Sequence, residues 1–166
     1  MADVAIYLIR HGVAAERGDA YPDDTLRPLT KDGVSRLRQG AKALGGLGVT
    51  FDVILTSPLV RTRQTAEVIA AGLGGKPPIE MADALAPEGT PAAVVQALAK
   101  HAGKAAIALV GHEPNLGELA ARLIGARRPL EFKKGGVCRI DFDSLPPKGA
   151  GSLRFFLTPK VLRQLA

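Results

Sequence analysis

The sequence has a single cysteine, Cys138, so no disulfide can close within the chain and a reducing compartment is the simpler setting. Its neighbours Gly136, Val137, Arg139 and Ile140 offer no activating group, and it reads as a buried structural thiol. No apolar stretch approaches the ~20 residues that a membrane-spanning helix requires. The opening MADVAIYLIRHG combines a short apolar run, an early acid and no small-residue cleavage site, which argues against a secretory leader. A cytoplasmic location with no membrane partner is therefore expected. Repeats and long low-complexity segments are absent. The histidines also lack neighbouring clusters of thiols or carboxylates, the company in which metals are usually held, so no metal and no cofactor is implied.

What is present suits one compact domain over residues 1–166. A chain of that length buries about two-thirds of the surface its unfolded form exposes. Hydrophobic residues make up 46% and charged residues 23%, ordinary values for a globular protein. The net charge of +6 is unevenly spread. Residues 1–121 hold twelve Lys/Arg and thirteen Asp/Glu, whereas residues 122–166 hold ten and three. A field of this kind can steer an anionic partner, although a solvated face is the default reading. The basic pairs Arg127-Arg128 and Lys133-Lys134 have no interleaved aromatics, so no nucleic-acid partner is expected. Docking of an acidic partner is the sharper alternative.

Short apolar runs alternate with amphipathic ones. Val4 to Ile9, Phe51 to Thr56 and Ala105 to Val110 are continuous apolar runs that read as buried strands. Helices are predicted over Thr30 to Leu44, Arg61 to Leu73, Pro91 to Lys100 and Leu116 to Ile124. The first has Thr30 as its cap and Gly45-Gly46 as its stop. Val137 to Phe142 and Ser152 to Leu157 alternate more clearly and read as two late strands joined by a turn. The pattern predicts a three-layer α/β/α sandwich with a mostly parallel central sheet and an antiparallel edge strand.

Each apolar strand is followed by a polar cluster: Arg10-His11-Gly12, then Ser57 to Arg63, then Gly111-His112-Glu113-Pro114-Asn115. Ligands of open parallel sheets bind beyond the carboxyl ends of the strands, where these clusters would meet. Two histidines and at least two arginines would meet in one crevice, and the pair of arginines would repel a divalent cation. They suit a phosphoryl group, to which guanidinium forks donate bidentate hydrogen bonds. Histidine is a competent nucleophile through a neutral ring nitrogen, and a neighbouring cation helps to keep it neutral.

The motifs that carry this pattern, LIRHG at 8–12, RPLTKDG at 27–33, SPLVRTRQTA at 57–66 and GHEPNL at 111–116, resemble those of the histidine phosphatase superfamily. The closing LRFFLTPKVL at 153–162 is similar to the tail of its SixA-like, phosphohistidine phosphatase branch. The resemblance implies that His11 attacks phosphorus and forms a phosphohistidine intermediate. It also implies that Arg10, Arg61 and His112 form the phosphate pocket, with His112 stabilising the transition state. Arg27, preceding the PLT segment, is a candidate substrate contact.

The chain is short for this superfamily. Only 46 residues lie between Thr65 and His112, which leaves little for a lid. An open site suits a phosphorylated protein, so phosphohistidine on a protein partner is the expected substrate. A small-molecule phosphomonoesterase is the alternative, and a phosphate-recognising module with little turnover is a second. Larger members of the superfamily use a glutamate as general acid near the segment that matches residues 82–90, where Glu88 is the candidate, whereas the SixA-like branch lacks a dedicated acid. Glu113 is a rival to Glu88, although a carboxylate there also suits the first turn of a helix. Oligomeric state is not legible.

Overall fold

The computed structural model describes residues 3–166. A six-stranded sheet forms its centre: β1 (Val4–Arg10), β2 (Val53–Thr56), β3 (Ile79–Met81), β4 (Ala106–Gly111), β5 (Val137–Phe142) and β6 (Ser152–Leu157). The spatial order is β3-β2-β4-β1-β5-β6. The first four strands are mutually parallel, and β5 and β6 add as an antiparallel pair on the β1 side. The expected strands are present, and β3 is an addition to them. It spans three residues and none is buried, so its sequence carries no buried run to read.

Alternation within the central strands explains the layers. Ile6 and Leu8 of β1 enter one core with Leu109 of β4, Leu98 of α3 (Pro91–Leu98), and Leu116 and Leu119 of α4 (Asn115–Ile124). Tyr7 and Ile9 face the opposite core. There they meet Leu44 of α1 (Lys31–Gly46), Ile69 of α2 (Val60–Gly72) and Leu162 of α5 (Pro159–Gln164). Both faces of β1 and β4 are thus covered, which is why these strands read as unbroken apolar runs. Each fully buried Leu or Ile contributes roughly 1.5–3 kcal/mol relative to an exposed one. Cys138 is fully buried in the first core, and burial pushes its thiol up to about 12, consistent with an inert packing residue.

Among the described residues no helix is long and apolar enough to cross a membrane. Helix α1 starts as expected, with the Thr30 hydroxyl accepting from the Gly33 amide at 2.9 Å. Gly33 is required by a close approach, because a Cβ there would collide with the backbone oxygen of Val13. That oxygen already accepts the Thr30 amide at 3.0 Å. Gly33→Ala should therefore cost about 1–3 kcal/mol, as overpacking of a backbone contact does. Urea unfolding will measure it, and an unchanged midpoint would show that the α1 entry yields without strain.

Candidate active site

The carboxyl ends of β1, β2 and β4 open on one side of the sheet, and the three polar clusters converge there. Arg10 of β1 pairs in register with Gly111 of β4, and the His11 amide donates to the Gly111 oxygen at 3.1 Å. His11 and His112 thus leave adjacent parallel strands side by side, with ring centroids 5.3 Å apart. Both are buried, at 6% and 3% exposure. Together with Arg10, Arg27 and Arg61 they line a cavity of about 430 Å³.

The His11 ring has a defined protonation pattern. Its Nδ1 lies 2.7 Å from the Gly12 carbonyl oxygen, which can only accept, so Nδ1 carries the proton in the neutral ring. Nε2 keeps its lone pair. Burial lowers the His11 pKa to about 4. The Gly12 hydrogen bond opposes this, and the positive charges of Arg61, Arg10 and Lys134 support it. His112 is lowered to about 3, again first by burial, then by His11 and Arg61. Both rings are therefore neutral near pH 7.

Around them the charge is positive and incompletely paired. Arg10 donates from Nη1 to the Phe132 oxygen at 2.8 Å. Arg61, in the first turn of α2, donates to the Asp24 backbone oxygen and carboxylate at 3.0 and 3.2 Å. Arg27 donates to the same carboxylate at 2.8 Å and to the Ala15 oxygen at 2.7 Å. Three of the four buried side-chain nitrogens that lack a partner among the described residues belong to this cavity: Arg10 Nε, Arg61 Nε and His112 Nδ1. Buried polar groups are normally bonded, so three unpartnered nitrogens on residues that line one cavity are the feature a bound polar ligand would account for.

Neighbouring motif residues fix the frame. The Gly12 amide donates to Thr65 Oγ1 at 3.1 Å, and that hydroxyl donates to the Arg61 oxygen at 2.7 Å. The Leu29 amide donates to Gln64 Oε1 at 2.8 Å. Helix α2 thereby holds both the histidine turn and the loop leading to α1. Ser57 Oγ lies 2.8 Å from His112 Nε2 and accepts the Leu59 amide at 3.4 Å.

The two acid candidates fall in different places. Glu88 is exposed and outside the cavity lining, where Pro87 stands instead. Glu113 lines the cavity, but its carboxylate accepts the Gly117 amide at 2.6 Å and the Phe132 amide at 3.2 Å, tying the start of α4 to the strand-entry loop.

Three residues at or beside the cavity were not singled out as site residues by the sequence. Asp24 bridges Arg27 and Arg61, and a salt bridge at 3.4 Å joins it to Arg17. Burial acts to raise its carboxyl, but the guanidiniums of Arg27 and Arg61 outweigh this and hold it below the usual range. Lys134, expected on a solvated face, lines the cavity. Ser57 was visible only as a motif letter. Among the described residues no group of three His, Cys, Asp or Glu side chains is placed to hold a metal ion.

Residues 6–86 match the model of the histidine phosphatase superfamily, branch 1. The chain is 31% identical to the phosphohistidine phosphatase SixA of Escherichia coli K12 over 161 residues, 95% of this chain and 96% of that protein. It is also 43% identical to an uncharacterised protein of a Picosynechococcus strain, over 80% of this chain and 81% of that one. Among solved structures, the protein histidine phosphatase SixA complexed with tungstate superposes with a TM-score of 0.83 at 29% identity. That match covers 95% of this chain and 98% of the other.

Proposed function

The chain belongs to the histidine phosphatase superfamily, and we propose that it removes phosphate from phosphohistidine on a partner protein, with His11 as the nucleophile. The observation that carries this is the set of unpartnered donors, Arg10 Nε, Arg61 Nε and His112 Nδ1, around two neutral histidines. A tetrahedral oxyanion presents acceptors to all three. That a SixA structure holds tungstate, an oxyanion, supports the same assignment.

In the first step His11 Nε2 attacks phosphorus. A P–N bond forms to His11 as the P–N bond to the substrate ring breaks, and that ring, already protonated on its other nitrogen, takes the electron pair and departs as neutral imidazole. Water then attacks the phosphohistidine, releasing inorganic phosphate and restoring His11. Arg10, Arg61 and Arg27 neutralise the charge spread over the three equatorial oxygens, which is the main catalytic requirement of phosphoryl transfer. The leaving imidazole carries its own proton, so this substrate makes little demand on a protein acid. Glu88 at the surface and Glu113 bound to backbone amides are compatible with that economy.

His112 acts as a neutral hydrogen-bond donor. If its Nε2 accepted the proton, its Nδ1 lone pair would face an incoming oxyanion. With Ser57 donating its hydroxyl to Nε2, Nδ1–H is free for a phosphoryl oxygen. Ser57→Ala should slow kcat about fivefold, the equivalent of one hydrogen bond of about 1 kcal/mol. Ring-nitrogen NMR of His112 reads the tautomer directly, and an unchanged tautomer in the variant would remove this role.

The reading is tested by supplying a phosphohistidine-bearing protein and, separately, a simple phosphate ester. Faster release from the protein is expected. Equal or faster release from the ester would instead make the chain a small-molecule phosphomonoesterase. Binding of phosphate without release from either would leave only a recognition module.

A further inference from the structure

A second cleft, of about 240 Å³, adjoins the catalytic cavity. Its lining includes Gly12 and Val13, the two residues that follow His11, and Lys134 belongs to both cavities. Leu37 of α1 and Leu162 of α5, both buried, form its apolar floor, and Gly33 and Gly40 of α1 also line it. Four cations surround that floor: Arg36, Lys134, Lys160 and Arg163. No carboxylate lines it. Arg36 is paired with Asp32 at 2.8 Å, whereas the other three have no ion-pair partner among the described residues. Lys134, Lys160 and Arg163 all come from the strongly basic stretch at 122–166.

Resting on the phosphohistidine reading above, we infer that this cleft is the docking face for the protein substrate. The occupant is an acidic segment beside the phosphohistidine, with one apolar side chain seated over Leu37 and Leu162 and carboxylates on either side. The charge argues for it: three free cations around an apolar floor complement carboxylates flanking an aliphatic residue, and rim charges of this kind raise the encounter rate and select partners. The position argues for it as well. The cleft continues directly from the His11 turn, so a segment lying in it delivers a neighbouring phosphohistidine to the cavity. A nucleic acid fits less well, because the cations frame a narrow apolar depression with no aromatic side chain for a base to stack on.

The test uses two synthetic peptides that share one phosphohistidine and one leucine, the first carrying four glutamates and the second four glutamines. Phosphoimidazole serves as a small substrate that does not reach the cleft. Wild-type enzyme is expected to show a KM roughly tenfold lower for the glutamate peptide, with the difference shrinking at high salt. The double variant Lys160→Glu/Arg163→Glu should abolish that difference while hydrolysing phosphoimidazole at the wild-type rate, which also reports that it has folded. Equal KM values for the two peptides in the wild type would overturn the inference. So would a variant that keeps the preference. Cleavage of phosphoimidazole without release from either peptide would instead remove the phosphoprotein reading, and the docking face with it. Duplex DNA or anionic vesicles that bind the wild type and not the variant, with peptide KM unmoved, would assign the cleft to that ligand and overturn the proposal.

Discussion

Replacing His11 with alanine should reduce phosphate release by roughly 10⁴-fold or more, the scale seen when a covalent nucleophile is removed. The rest of the pocket survives this change, because Arg10 is held by the Phe132 oxygen and Arg61 by Asp24. The variant should therefore still bind tungstate or phosphate. Wild-type protein given substrate labelled in the phosphoryl group should carry label in an acid-labile, base-stable form, and the variant should carry none. A variant retaining a tenth of wild-type turnover would show that phosphate passes directly to water and that His11 only binds.

Acid should affect the protein at two histidines simultaneously. His11 and His112 are lowered to about 4 and about 3, whereas a histidine in an unfolded chain titrates near 6.5. Between those values the unfolded chain takes up protons that the folded one refuses, so unfolding becomes easier as pH falls. The stability present above about pH 6.5 should decline steadily down to about pH 4 for His11 and about pH 3 for His112, a loss of a few kcal/mol for each ring. Urea midpoints at pH 7 and pH 5 measure this, and NMR titration of the two rings assigns it. Bound oxyanion should move both titrations upward, since a negative ligand favours the imidazolium. Ring signals that titrate near 6.5 in the free protein would refute the electrostatic account of the two buried rings.

The parts of the site that follow buried strands were readable in one dimension. Val4–Arg10, Val53–Thr56 and Ala106–Gly111 are covered on both faces, so their sequences are unbroken apolar runs and the polar residues after them stand out. His11, Arg61 and His112 were found that way, and Arg27 through the PLT segment beside it. Strand β3 and helix α5 were missed because each is short and only weakly buried, so neither carries a periodic apolar pattern. Asp24 and Lys134 were missed for a different reason. Each is one charge among several in a connecting segment, Asp24 opening a single 3-10 turn and Lys134 in a turn before β5, and only the fold decides which of them faces the cavity. Nothing local distinguishes Lys134, which lines it, from Lys133, which does not. The expectation that Glu88 supplies an acid came from resemblance rather than from a pattern in these residues, and the chain puts Pro87 at the cavity wall.

Arg10 lies opposite Gly111 across two hydrogen-bonded parallel strands, so His11 and His112 occupy equivalent rungs one step beyond the ladder. Neighbouring strands sit about 4.8 Å apart wherever a sheet forms, and the imidazole separation of 5.3 Å is close to that spacing. The side-by-side placement of the two rings thus follows from strand spacing, while the Gly12 oxygen and the Ser57 hydroxyl orient the rings themselves. Core substitutions that preserve β1–β4 pairing should leave this placement intact, so the surrounding protein is free to diverge in composition. For protein engineering, two adjacent parallel strands with histidines one residue past a paired position supply the spacing, and a new host would have to supply the orienting partners and the arginines.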